Sequence, residues 1–365
     1  MAQRANGQAA PSGLPEIIAP NFKRRLSGVT STIVQLIPAQ RAAGLNIAAF
    51  GEGLPSNVAR MPYRDLLRLW TRPASRDMRV WHARRNVEMI GGLILRDILR
   101  MPLKIVFTSA SQRRHKPFTK WLIARMDAVI STSQKTASYL ERPSTVILHG
   151  IDLKRFSPPN DRAEAKRAVG LPADKRIVGC FGRVRRQKGT DLYAEALFEP
   201  LKAMPEWIAI IAGRTTAEHK AFEAELRERI AAEGLADRIL FVGEHTDIER
   251  WYRALDLFIA PQRWEGFGLT PLEAMACAVP VIATDVGAFS ELIVEGETGH
   301  ILADLEAPTM QKAAGQLMAD DALRETMGEN ARRHVEAAFS LEREMRQLAQ
   351  VYDSVAPLKG TAGKR

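Results

Sequence analysis

The sequence predicts an α/β protein made of two doubly wound, parallel-sheet domains. Short apolar runs at 103–108, 177–181, 207–212 and 257–260 alternate with longer segments of helical periodicity, as strands buried on both faces between crossover helices do. The cycle occupies residues 20–150 and starts again at Ile177, after the proline-bearing stretch Phe156-Ser157-Pro158-Pro159. A chain of 365 residues has the length of two ordinary domains.

Taken in order, residues 1–20 are rich in Ala, Gly, Pro and Gln and are expected to be poorly ordered. A basic loop from Lys23 to Gly28 leads into a helix over 29–39, with Val29, Ile33, Leu36 and Ile37 at helical spacing. A glycine opening onto a helix N-terminus can hold a phosphate, but a single glycine is more often just a turn. A strand follows at 45–50. A helix is expected over 63–76, where Leu66, Leu67, Leu69 and Trp70 are interleaved with arginines. It suits an anionic surface, and equally a basic face in water. A strand at 78–82 delivers Arg84 and Arg85, a helix runs to 99, and a strand at 103–108 delivers Arg113, Arg114 and His115. A helix at 120–125 and strands at 128–131 and 145–148 complete this half. Basic residues beyond two strand ends fit the rule that open α/β sheets bind ligands there.

In the second half, a strand at 177–181 delivers Gly182, Arg183, Arg185, Arg186, Lys188 and Gly189 ahead of a helix opening at Asp191. Glycines with Arg and Lys suit a diphosphate, while the spacing is not that of a Walker loop. A strand at 207–212, a helix at 221–233, a strand at 239–242 and a short helix within 245–252 follow. The stretch 255–284 then reads as strand, loop, helix and strand. Its loop carries Glu265, Gly266, Phe267, Gly268 and Leu269. Thr270, Pro271 and Glu273 form a capping-box pattern for a helix closing near Ala278. Glycines permit close approach to a ligand, and two flanking carboxylates suit sugar hydroxyls. The alternative is that Glu273 only caps its helix and Glu265 is a solvated acid. A loop-helix from Gly287, a turn at 296–299 and helices at 310–318, 321–338 and 341–355 finish the chain, with a disordered tail at 357–365.

Charge separates the halves. Residues 1–150 contain 23 Lys+Arg against 8 Asp+Glu, although the whole chain is only +10. The first half should therefore attract something anionic: nucleic acid, an acidic membrane surface or a phosphorylated substrate. Nucleic acid is disfavoured by the scarcity of aromatics among the arginines and the lack of a reader motif. No run approaches the roughly 20 apolar residues of a membrane span, and the N-terminus lacks a signal-peptide core, so a cytoplasmic protein is expected. Cys180 and Cys277 read as buried thiols, and no Asp-x-Asp metal motif occurs.

Glu265 to Glu273 is similar to the E-x7-E signature of the retaining glycosyltransferases of family 4. Gly182-Arg183 with Lys188-Gly189, Gly150-Ile151-Asp152 with Arg155-Phe156, and Phe339-Ser340 before the last helix extend the resemblance over most of the chain. The resemblance implies the GT-B architecture, two Rossmann-like domains facing a cleft. The acceptor-side domain would span 21–155, the nucleotide-sugar domain 160–338, and a C-terminal helix at 339–356 would cross back to the first domain.

It also implies roles. Arg183 and Lys188 would hold the donor diphosphate. Glu265 and the amides of 266–269 would hold the transferred sugar, Glu273 would bind ribose hydroxyls, and Gly28 would face the diphosphate across the cleft. Where many members carry a histidine after the strand at 103–108, this chain has Ala110, leaving His82 and His115 as candidates beside Arg84, Arg113 and Arg114. No cofactor or metal is implied. RRLSGVTSTIVQLIPAQ, WHARRNVEM and FTSASQRRH further resemble bacterial lipopolysaccharide-core mannosyltransferases, implying GDP-mannose as donor, an anionic Kdo/lipid A acceptor and peripheral association with the inner face of the cytoplasmic membrane. Another sugar nucleotide, such as a UDP-hexose, is the alternative within this class. A basic nucleic-acid-binding protein or a non-catalytic sugar-nucleotide binder is the alternative outside it.

Overall fold

The computed structural model describes residues 13–23 and 28–360, and the chain divides into two compact units. One is formed by the chain up to Thr132, by Thr136–Leu148 and by the stretch from Leu341; the other by Ser133–Lys135 and His149–Ser340. Each holds a six-stranded sheet whose pairings are all parallel.

The first sheet comprises β1 (Ile17–Asn21), β2 (Ile47–Gly51), β3 (Arg79–Ala83), β4 (Leu103–Ser109), β5 (Ala128–Ser131) and β6 (Thr145–Val146), in the order β2-β1-β3-β4-β5-β6. Side chains alternate between two cores, because successive strand residues point to opposite faces. Ile17, Val80 and Val106 pack with Ile33 and Ile37 of the helix Gly28–Ala42 and with Leu348 and Tyr352 of the helix Leu341–Val355. Ile18, Trp81 and Ile105 pack on the opposite face with Leu69, Met89 and Leu122. Burying each of these large apolar side chains contributes about 2 kcal/mol.

Three expectations need correction here. The segment 1–20 was expected to be poorly ordered, yet from Ile17 it is an interior strand of the sheet; residues 1–12 lie outside the described residues. Two prolines flank or enter its short apolar run, and that hides a strand from a propensity reading. The helix expected over 63–76 is a 3-10 helix, Tyr63–Trp70, which ends where Thr71 takes an extended conformation. The tail is held as far as it is described: the Lys359 amide donates to Ser75 O at 2.8 Å, and Leu358 bridges Arg76.

The second sheet comprises β7 (Arg176–Phe181), β8 (Trp207–Ala212), β9 (Ile239–Gly243), β10 (Leu257–Ala260), β11 (Val281–Thr284) and β12 (Gly299–Leu302), in the order β12-β11-β10-β7-β8-β9. The helices Thr190–Ala203, Lys220–Ala232 and Ala307–Ala319 share one core with Val178, Ala209 and Ile259. Cys180 and Cys277 are free and buried, and burial pushes both thiols up to about 12. At the unit's edge the Ile151 amide donates to Phe339 O at 2.8 Å, joining the segments where the chain enters and leaves.

Both sheets have a point where the strand order reverses, between β1 and β3 in the first and between β7 and β10 in the second. Loops leaving adjacent strands there diverge to opposite faces and open a crevice at the carboxyl edge.

Candidate active site

At the reversal point of the second sheet, the loop after β7 meets the loop after β10. Gly182 begins the first with φ +144°, and Gly189 ends it in the left-handed conformation at φ +70°. A Cβ on Gly189 would lie 1.8 Å from the carbonyl oxygen of Pro261, so only glycine lets the loops touch. Lys188 reaches across to form an ion pair with the Glu265 carboxylate. Glu265 Oε1 also accepts from the Gly266 amide at 2.9 Å. Gly268, at φ +88°, lies against the Phe289 ring, where a Cβ would be 2.2 Å from ring carbon. The structure thus brings Lys188, Glu265 and the 266–269 loop together, with Gly182-Arg183 at the adjacent strand end.

Glu273 departs from the expected capping role. The helix Thr270–Ala276 has no side-chain cap, and the Thr270 hydroxyl is buried without a protein partner. Glu273 Oε2 instead accepts from the hydroxyl of Tyr252, which is fully buried, at 2.8 Å. Burial raises the Glu273 carboxyl above its usual range, while the Tyr252 hydrogen bond and the charge of Arg155 oppose the rise. The helix also stops earlier than expected, because Ala278 adopts φ +55° ahead of Pro280.

The sequence did not single out the supports of this edge. Arg263 donates to Asp191 Oδ1 and to Arg186 O, both at 2.6 Å, and so ties the β10 loop to the cation-bearing loop and to the helix after it. Asp191 is 3% exposed. Around the same edge, Arg185 Nε and Gln262 Oε1 are buried without protein partners, polar atoms suited to an oxygen-rich ligand. Only the pairing of strands distant in sequence brings these residues together.

The first sheet's reversal point carries a second polar cluster. Asn21, ending β1, donates from Nδ2 to Glu52 O at 2.8 Å and accepts at Oδ1 from Arg85 at 3.0 Å. Arg85 also donates to Glu88 Oε1 at 2.7 Å and to Thr30 Oγ1 at 3.1 Å. Glu88, whose side chain is wholly buried, accepts the Arg84 amide at 2.7 Å. Gly28 starts the neighbouring helix; the loop 24–27 that precedes it lies outside the described residues.

His82 does not fit the role offered to it. It is 1% exposed, with Nδ1 2.8 Å from the Tyr352 hydroxyl and Nε2 2.7 Å from Thr108 Oγ1. Burial, with Arg84 nearby, holds it well below the usual imidazole range, so it is a neutral interior bridge. His115 is half-buried, 3.4 Å from Ser109 Oγ. It lines a cavity of about 530 Å³ with Trp121, Tyr139 and Arg142, and burial followed by Arg113 and Lys120 lowers its pKa. Arg113 and Arg114 are exposed on the loop after β4. Among the described residues no three His, Cys, Asp or Glu side chains group as metal ligands.

Known proteins match this chain closely. The sequence profile described as glycosyl transferases group 1 matches residues 161–334. The lipopolysaccharide core biosynthesis mannosyltransferase LpsB of Rhizobium meliloti (strain 1021) is 60% identical over 93% of this chain and 97% of its own length. The lipopolysaccharide core biosynthesis mannosyltransferase LpcC of Rhizobium leguminosarum bv. viciae is 56% identical over 93% of this chain and 96% of its own. The structure of Anabaena Alr3699/HepE in complex with UDP superposes with a TM-score of 0.80 over 93% of this chain and 99% of that chain, at 20% identity. Two Rossmann-like units with this topology, together with the family and sequence matches, make the chain a glycosyltransferase of the GT-B class. The chain belongs to the glycosyl transferases group 1 family.

Proposed function

We propose that this glycosyltransferase transfers mannose from GDP-mannose to the anionic Kdo/lipid A inner core during lipopolysaccharide biosynthesis. It would act with retention of configuration and without a metal, peripherally associated with the inner face of the cytoplasmic membrane. The observation that carries the reading is the meeting of Lys188 and Glu265 at the reversal point of the second sheet, in a chain so similar to two core mannosyltransferases.

In this reading Arg183 and Lys188 hold the donor diphosphate and offset the charge of the leaving nucleoside diphosphate. Glu265, with Gly266, Phe267, Gly268 and Leu269, holds the mannosyl group, and Glu273 accepts from ribose hydroxyls. Arg84, Arg113, Arg114 and His115 serve the anionic acceptor. The C1–O bond to the phosphate breaks, a C1–O bond to the acceptor hydroxyl forms on the same face, and the acceptor proton passes to the leaving phosphate. No protein base is required, which accommodates Ala110 and the interior position of His82.

Mass spectrometry of products from GDP-mannose and a Kdo-lipid acceptor, with and without EDTA, tests this. The expected product is heavier by one hexose in both conditions. Transfer from UDP-glucose but not GDP-mannose would overturn the donor assignment. That second reading is favoured by the UDP in the structurally similar Anabaena protein.

A further inference from the structure

We propose that one face of the first unit is a docking surface for an anionic lipid bilayer, made by the 3-10 helix Tyr63–Trp70, the π-helical turn Ile94–Ile98 and the helix Pro117–Ile123. It rests on the lipid-linked acceptor of the proposed function and identifies the surface that would meet the membrane. These elements send Leu69, Leu95 and Leu122 into the same core, so they cover one face of the first sheet. They are also joined laterally: Trp70 Nε1 donates to Leu99 O, just past the π-helical turn, at 2.7 Å, and Asn86 Nδ2, at the start of the helix Asn86–Leu93 that runs into that turn, donates to Thr119 Oγ1 at 2.7 Å.

Each element turns large apolar side chains outward. Leu67 is 70% exposed, Ile98 71% and Phe118 57%. Trp70 and Trp121 are about half exposed, and Trp121 stacks on Phe118 with centroids 6.0 Å apart. Single exposed apolar residues are ordinary, whereas this many on adjoining elements mark an interaction site.

Charge complementarity selects the occupant. Arg64 and Arg68 flank Leu67, Arg100 follows the π-helical turn, and Lys116 and Arg125 bracket the last helix, all exposed. From Arg113 to Arg125 there are five Arg or Lys and no Asp or Glu. Tryptophan with arginine and lysine is the composition that seats at a headgroup layer: rings and aliphatic side chains enter the acyl boundary while the cations meet anionic lipid. No helix among the described residues is long and apolar enough to cross a membrane, so attachment by this face is interfacial.

Flotation of the full chain with phosphatidylcholine vesicles, with and without phosphatidylglycerol, tests the surface. Binding is expected only to the anionic vesicles and weakens with salt. Leu67→Ser/Ile98→Ser/Phe118→Ser and, separately, Arg64→Glu/Arg68→Glu should each reduce it about tenfold. Both variants should keep the wild-type circular dichroism and the thermal shift given by GDP-mannose. Because the vesicles carry no saccharide, the result does not depend on transfer: lost donor response in the wild type would count against the proposed function alone. Wild type that fails to float, variants that float undiminished, or binding to RNA in place of vesicles would overturn the docking surface.

Discussion

The ammonium of Lys188 and the carboxylate of Glu265 form an ion pair between the loops that follow β7 and β10, with side chains 21% and 19% exposed. Both sit at the carboxyl edge of the sheet, where open α/β sheets bind ligands. Lys188→Ala and Glu265→Ala should each lower kcat about 100- to 1000-fold with little change in melting temperature. The double variant should lose far less than the product of the two. Steady-state kinetics that leave turnover within a few-fold of wild type would sink the assignment.

Tyr252→Phe should make the donor response more pH-dependent. Burial raises the Glu273 carboxyl, and the Tyr252 hydroxyl opposes this, so removing the hydroxyl lifts the folded pKa further. In the proposed role the Glu273 carboxylate accepts from ribose hydroxyls, so donor affinity should rise with pH through that pKa, and the rise should move to higher pH in the variant. Stability runs the other way: a raised carboxyl binds more protons folded than unfolded, so its contribution is full below the unfolded value and lost as pH rises through the folded one. Donor titrations by calorimetry across pH, beside thermal melts, check both signs.

Gly189→Ala should cost about 2 kcal/mol or more and impair donor binding, since the new Cβ meets the backbone of Pro261 in a left-handed conformation. Gly170 has φ +76° with nothing within 4 Å, so Gly170→Ala should cost only about 1 kcal/mol. Chemical denaturation of the two variants tests the contrast.

His82→Ala should destabilise the first unit by about 2–4 kcal/mol, leaving the Tyr352 and Thr108 hydroxyls without their partner. The folded pKa lies below the ordinary 6.5, so the unfolded chain binds more protons between the two values. The stability His82 contributes is present above the ordinary value and lost as pH falls toward the folded one. The variant should therefore flatten the acid side of the melting-temperature profile. A fall in kcat with an unchanged melting profile would instead return His82 to a catalytic role.

Much of the architecture was legible because parallel strands announce themselves as short apolar runs. Ile177 to Phe181 and Val281 to Thr284 could be read directly, with their glycine or proline boundaries. Ile17 to Asn21 could not, because Pro15 and Pro20 carry the signature of an edge or a loop. Its place between β2 and β3 depends on cross-strand pairing with Ile47 and Val80. The role of Glu273 was similarly ambiguous: a glutamate three residues past a threonine reads as a cap, and only Tyr252, brought in from another helix, draws the carboxylate away.

Sequence by itself determined the α/β class, the two cycles, the basic first half, the loops that carry Arg183, Lys188 and Glu265 and the helix that carries Glu273. These follow from local periodicity and residue chemistry, which a linear reading contains. Tertiary structure decided that Lys188 meets Glu265, that Arg263 ties Asp191 to the same edge, that His82 is an interior bridge, and that Leu69, Leu95 and Leu122 from separate elements enter one core. Those depend on strand order and sheet pairing, which bring together residues far apart in the chain.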